Sequence, residues 1–343
     1  MAFPNVKNGP ASMASAELLA KIALTLALSL VIGFAIIWAI TFYSGLNIYE
    51  TLIVAAAVFV FQFYISPKLI ITATKLRYVG NGEYPQLQEM VFELSKEYGI
   101  KPPRIAIAPA REPNAFVFGR TKSSPTLVVH EGLLSALSAE ELKAVIVHEL
   151  AHIMHWDFSV MTFASFVPML AYLTARDVLW TSFFDESRNT ASYLILFGML
   201  AFVVYFISEL IVLPVSRQRE SYADLYCAES THKPENLARA LYKISYANFK
   251  TKNGSKSATS ARAFYVIDFF NVDKDMWELK NHYEQLKDMV PGIDISTVIK
   301  AERQSRNGLL GMLNSMLSTH PQTYRRIMSL AKEKQAIERE SSR

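Results

Sequence analysis

The sequence predicts a mainly α-helical integral membrane protein that carries a small β-sheet and a metal-binding helix. Three observations predict it. Long apolar runs stand apart from the polar remainder of a 343-residue chain that is 51% hydrophobic. Short segments between residues 104 and 129 alternate as β-strands do. Directly after them, two histidines four positions apart flank a glutamate, His148-Glu149-Leu150-Ala151-His152.

Composition narrows the function classes. A formal charge of +4 is small for this length and gives no nucleic-acid surface. The single cysteine, Cys227, excludes an internal disulfide framework and any Cys-rich metal site. Metal ligands must therefore be histidines and carboxylates.

Taken in order, residues 1–17 are small and polar and read as a tail on a membrane surface. The first apolar run begins near Leu18, too long for the core of a signal peptide, and reads as an anchor. Its heart, residues 22–42, is about 21 residues, enough to cross a bilayer. A turn at Tyr43 to Asn47 leads to a second run, residues 51–65. The pair reads as a transmembrane hairpin; a buried soluble hairpin is the alternative. The turn carries no Lys or Arg, whereas Lys68, Lys75 and Arg77 follow the second run. By the positive-inside rule, the N-terminus and the region after residue 67 are cytoplasmic.

Residues 74–157 read as soluble. Leu87, Met90, Val91 and Leu94 share one face of a helix over residues 85–98. Residues 104–108, 115–118 and 126–129 follow as strands, separated by Gly, Ser and Pro turn chemistry. An extended substrate could add itself to an open edge of this sheet, or the sheet is purely structural.

The next helix carries the histidines. Ser138-Ala139-Glu140-Glu141 has the form of a capping box, and Leu142, Val145, Ile146, Leu150 and Ile153 follow at helical spacing. On a helix, four residues turn by about 400° and rise about 6 Å, so His148 and His152 share a face. Two imidazoles so placed can each give one nitrogen to a tetrahedral zinc ion, and Glu149 beside them can take a proton from an attacking water. This is the H-E-x-x-H signature of zinc proteases. His155 shares the face but lies about 10 Å from His148 along the axis, too far to share an ion, so it is expected near the site or at the surface. Asp157 is expected to point away from the metal face and to cap the next helix.

A third apolar run covers residues 158–174, is short for a span, and is stopped by Arg176-Asp177. A fourth, residues 193–215, is about 23 residues with one acid, Glu209. Both are taken to cross; otherwise they lie as a hydrophobic pair against the membrane. Pro214 marks a break or kink, after which a polar helix starts at Ser216. Residues 251–262 read as a loop, 276–289 as a helix, 309–317 as a Met- and Leu-rich stretch, and 324–340 as a charged closing helix.

Two histidines leave a catalytic zinc site one protein ligand short. Glu220, on the helix that emerges from the fourth run, is the best candidate. Asp224, one turn later, could accept the other N–H of a ligand histidine and fix its tautomer. Arg217, one turn earlier, could hold a carboxylate. Spacing alone leaves a solvated charged helix equally open.

The motifs together resemble the HtpX-like membrane zinc metallopeptidases of family M48. The resemblance rests on His148 to His152, on Pro113-Asn114-Ala115-Phe116, on Arg217 to Asp224, and on Ser318-Thr319-His320-Pro321 with Arg326-Ile327, covering roughly residues 20–330. It implies a zincin (gluzincin) catalytic domain interrupted by transmembrane helices. The N-terminal tail and hairpin would occupy residues 1–73, the first half of the protease domain 74–157, a second pair of transmembrane helices 158–213, and the second half 214–343. His148, His152 and Glu220 would bind one Zn²⁺ per chain, with Glu149 as general base and Asp224 orienting a ligand histidine. Asn114 would contact substrate backbone, and Arg326 would support the C-terminal segment. His320 would stabilise the oxyanion or occupy the open position in a resting state. Substrates would be unfolded, misfolded or damaged membrane proteins, met at the cytoplasmic face of a cell membrane that the chain crosses several times. Two readings compete: a CAAX-type prenyl protease, which the small number of spans disfavours, and a non-catalytic membrane scaffold with a structural zinc site, which needs no Glu149.

Overall fold

The computed structural model describes residues 47–121, 123–164, 166–182, 188–252, 272–290 and 322–342, with scattered helical positions between 20 and 38. His320, the 309–317 stretch and most of the 251–262 segment lie outside the described residues. The chain forms two compact units. Of the described residues, one joins those within 67–158 to those within 217–343; the other joins those within 12–66 to those within 159–216.

In the first unit, the helix α1 (Ile48–Thr74), which begins in the second unit, leads into β1 (Arg77–Tyr78). Next come α2 (Pro85–Glu97), β2 (Arg104–Ala108), β3 (Ala115–Phe118) and β4 (Thr126–His130). The sheet order is β1-β2-β4-β3. β2 and β4 are parallel, with Ala106 opposite Val128, and both outer pairs are antiparallel, so β3 is an edge strand. Every residue of β4 is buried, as expected for a central strand covered on both faces.

The short helix α3 (Glu131–Ala136) then passes to α4 (Ala139–Met154), which carries the histidine pair. The capping box forms. Ser138 Oγ accepts from Glu141 N–H, and Glu141 Oε2 accepts from Ser138 N–H at 2.8 Å. The same carboxylate accepts from Lys243 Nζ at 2.7 Å, so the residue that starts the helix also ties it to α8 (Pro234–Lys252). Val145, Ile146, Leu150 and Ile153 are fully buried, joined in one core by Leu237, Leu241 and Ile244 of α8. Burying side chains of this size stabilises by about 1.5–3 kcal/mol each. That core continues into α9 (Val272–Asn281), α10 (Tyr283–Leu286) and α11 (Thr323–Ser341). The expected helix over 276–289 is thus two shorter ones, divided at His282.

The second unit contains α5 (Asp157–Ala164) beyond its first residues, α6 (Phe166–Ser182) and the first part of α7 (Arg188–Thr231). α6 does not stop at Arg176-Asp177. These neighbours form their own exposed ion pair at 2.8 Å, so the charges stay in contact with each other and the helix runs on. α6 and α7 approach closely where Gly198 meets Leu179: a Cβ on Gly198 would sit 2.7 Å from Leu179 Cγ. Ala171 and Ala175 on α6 and Ala201 on α7 are buried, and small residues of this kind let helices approach closely in lipid. Leu196, Met199, Leu200, Phe202, Val203 and Phe206 are left exposed on α7. Among the described residues, one helix, Ser192–Thr231, is long and apolar enough to cross a membrane.

Of the break or kink expected at Pro214, the break does not occur: α7 continues through it for a total of 44 residues. In apolar surroundings broken backbone hydrogen bonds are costly, and a long helix tolerates the loss of one. The polar end of α7 lies directly on α4, where the buried Cys227 thiol donates to Ala144 O at 3.4 Å.

Candidate metal centre

α4 presents His148 and His152 on one face, and the polar end of α7 presents Glu220 to them. His148 Nε2 and His152 Nε2 are 3.2 Å apart. Glu220 Oε2 is 3.5 Å from the first, and Oε1 is 3.6 Å from the second. Metal–ligand bonds of about 2.0–2.2 Å at tetrahedral angles put ligand atoms about 3.3–3.6 Å apart. The two imidazole nitrogens and the Glu220 carboxylate are therefore close enough to converge on one ion, each histidine facing a different oxygen of the carboxylate. They are the group of His and carboxylate residues, among the described residues, that could hold an ion.

Charge supports the same reading. Four buried carboxylates, Glu149, Asp157, Glu220 and Asp224, face two buried guanidiniums, Arg219 and Arg326. With His148 neutral, as a metal ligand must be, and all four acids ionised, the excess is two negative charges, which one divalent cation cancels.

Each histidine has a carboxylate beside its Nδ1. His148 Nδ1 lies 3.1 Å from Asp224 Oδ1. Arg326 grips Asp224 with two bonds of 2.7 and 2.8 Å and lies 3.4 Å from Glu220 Oε2. Removing one member of so buried a pair typically costs about 3–5 kcal/mol. Arg326 thus sits inside the centre, nearer than its expected role of supporting the C-terminal segment.

His152 Nδ1 lies 2.5 Å from Asp157 Oδ2, and Asp157 Oδ1 lies 2.6 Å from Arg219 Nη2. Asp157 therefore points toward the metal face, opposite to the sequence expectation. The reason is backbone: Trp156 adopts φ 60°, a left-handed turn that ends α4 and folds Asp157 back beneath His152. No turn residue announces this, since a tryptophan rarely adopts that conformation. The arginine at this carboxylate is Arg219, two positions from the expected Arg217, which is half-buried and whose carbonyl accepts from Ser221. His155 stays outside the ligand group. Its Nδ1 bonds to Ala151 O at 2.7 Å, and its ring meets Tyr222 edge-on at 4.6 Å.

Asn114 is buried at the head of edge strand β3, against which α4 packs. Its carbonyl accepts from His130 N–H at 2.9 Å, while His130 Nδ1 bonds to Glu112 O at 2.9 Å. Asn248 of α8 donates to Pro113 O at 3.4 Å. Gly132 packs tightest against this segment: its N–H bonds to Ala110 O at 3.0 Å, and a Cβ there would lie 2.0 Å from Arg111 O. Sequence reasoning missed Asp157, Arg219, Asn248 and Gly132; only the last two have short-range cues, and those are weak.

Protonation follows from the geometry. Burial raises the Glu149 carboxyl above the usual range, although both histidines and Arg326 pull it down. Burial lowers His152 to about 4. Burial also pushes His148 down, but its bonds to Asp224 and Glu220 outweigh this and raise it to about 9. In the metal-free protein His148 thus holds a proton more tightly than an ordinary histidine. Metal ligation must expel it. Apparent zinc affinity should therefore rise about tenfold per pH unit up to about pH 9 and then level off. Calorimetric titrations in buffers of different ionisation enthalpy should show about one proton released at pH 7; none released would contradict the assignment.

Comparison with known proteins identifies the family. The family model for peptidase family M48 matches residues 82–334. A protease HtpX homolog of Methanothermobacter thermautotrophicus is 40% identical over 230 residues, 65% of this chain and 86% of the relative. Protease HtpX homologs of Streptomyces coelicolor and Pyrococcus furiosus are 34% and 36% identical, covering 64% and 62% of this chain and 74% of each relative. A crystal structure of S. mikatae Ste24p aligns with 93% of this chain and 66% of its own at 16% identity and a TM-score of 0.43. The chain belongs to peptidase family M48 and is an HtpX-like metallopeptidase.

Proposed function

We propose that the chain is a zinc endopeptidase that cleaves misfolded or damaged membrane proteins at the cytoplasmic membrane face. One observation carries the reading: His148, His152 and Glu220 bring ligand atoms within 4.8 Å of one another beside a buried Glu149. The two halves of the protease domain would be residues 74–157 and 214–343, around spans within 158–213, with a further hairpin before residue 73.

A zinc ion held by these three residues would supply a Lewis acid for the scissile carbonyl and the attacking water. The rest is done by the chain. Glu149 takes the water's proton and later delivers it to the leaving amine, and its raised proton affinity suits both transfers. Asp224 and Arg326 keep His148 aimed. Asn114 and the open edge of β3 align an extended substrate by main-chain bonding. His320, outside the described residues, is assigned the oxyanion or the resting block. Lys68, Lys75 and Arg77 assign the domain to the cytoplasm, and the exposed apolar face of α7 suits lipid.

The test uses the detergent-purified chain and an unfolded protein presented both free and tethered to the same micelle or bilayer. Internal peptide bonds should be cut, a chelator should stop cleavage, and one equivalent of zinc should restore it. The tethered copy should be cut faster. Cleavage that survives metal removal would overturn the reading, as would bound zinc without cleavage.

A further inference from the structure

His148 and His152 each have a carboxylate behind them, and each carboxylate has an arginine. For His148 the partners are Asp224 and Arg326. For His152 they are Asp157, at 2.5 Å, and Arg219, at 2.6 Å from Asp157. Nothing in the mechanism above uses the second chain of contacts.

Its geometry is specific. An imidazole that ligates through Nε2, the nitrogen His152 turns to His148 and Glu220, must present a lone pair there, so its proton must sit on Nδ1. Asp157 Oδ2 is placed to accept that Nδ1–H and to stop the ring from turning. Asp157 itself belongs to the turn after α4, fixed by Trp156 at φ 60°. Its other oxygen reaches Arg219, the residue immediately before Glu220. One carboxylate therefore connects a ligand on α4 to the backbone beside the ligand on α7.

Stability does not account for the pair. Arg219 is 3% exposed, and its Nε and Nη1 are buried without a hydrogen-bond partner. Taking such a group out of water is costly, and buried ion pairs commonly fail to recover that cost against apolar replacements. What the pair secures is aim and spacing.

We propose that Asp157 and Arg219 are positioning residues for the metal centre: Asp157 fixes the tautomer and direction of His152, and Arg219 fixes the spacing between His152 and Glu220. This rests on the reading that His148, His152 and Glu220 hold the metal.

The test compares the full-length chain with Asp157→Asn, Arg219→Lys and His152→Ala in detergent. Zinc affinity is measured by competition with a chromophoric chelator, the ligand field by Co²⁺ absorption, and metal-free stability by thermal unfolding. Asp157→Asn is expected to weaken zinc binding about 10–100-fold and to shift the Co²⁺ bands, with metal-free unfolding near that of the unaltered chain. Arg219→Lys keeps the charge but loses the planar fork, and a smaller loss in the same direction is expected. It also carries the test by the same readouts should Asp157→Asn fail to fold. If His152→Ala abolishes binding while both other variants bind zinc as the unaltered chain does, the positioning role is overturned and the ligand assignment stands. The positioning role is equally overturned if they lose metal-free stability but keep affinity and Co²⁺ spectrum. If the unaltered chain binds no zinc and His152→Ala changes nothing, the ligand assignment has failed and the positioning role falls with it.

Discussion

Glu149→Gln is expected to leave zinc bound and substrate affinity unchanged while lowering the rate of peptide hydrolysis roughly 10²–10⁴-fold. The substitution is nearly isosteric, and Glu149 is 3% exposed, so the buried site changes little in shape. The three ligand side chains are untouched, which is why metal content should not fall. What is lost is proton affinity. An amide cannot take the water's proton, and it has no proton of suitable acidity to return to the leaving amine. Burial makes the glutamate more basic than a solvated one, so the loss falls on a group already tuned toward proton transfer. Steady-state rates on an unfolded protein, with metal content measured on the same samples, decide the matter. Equal rates for the zinc-loaded variant and the unaltered chain would remove Glu149 from the mechanism.

Gly132→Ala is expected to destabilise the protein by about 3 kcal/mol or more and to abolish activity with it. The added Cβ would meet Arg111 O at 2.0 Å and Arg111 C at 2.5 Å. Both are backbone atoms, so no side-chain rotation relieves the clash. The segment that would have to move is tied down by the Ala110, Glu112, Pro113 and Asn114 carbonyl bonds already described. Moving it displaces the head of edge strand β3 beside α4. Gly80→Ala is the control: a Cβ there meets Glu83 Oε2 at 3.6 Å, an ordinary contact, and should change little. Thermal unfolding of both variants measures the difference; a Gly132→Ala protein as stable as Gly80→Ala would show that the loop yields.

Much of this fold was legible because its signals are local. The capping box at Ser138 and Glu141, the helical spacing of Val145, Ile146, Leu150 and Ile153, and the three strand-like runs each lie within a few residues. Glu220 was legible in another way, through a motif whose residues stand around it in fixed order. Asp157 was misread because its direction depends on one left-handed tryptophan, and propensity reasoning places no such turn there. Arg219 was passed over for Arg217 because helical periodicity tells which residues share a face but not which face meets a neighbour 62 positions earlier. Pro214 does not end its helix because the cost of proline is set by surroundings that sequence does not show: a long apolar helix runs on where a short soluble one would end.

The seal between Cys227 and Ala144 has a practical consequence. The thiol is the chain's single cysteine and is completely covered. It donates to a carbonyl one turn before His148, on the helix that bears both histidines. A thiol reagent can reach it only when α7 lifts from α4, the same parting that would pull Glu220 from the histidines. Alkylation kinetics of the unmodified protein therefore time the opening of the centre itself, without an introduced probe. Metal that clamps the two helices slows the labelling by the factor with which it holds them closed.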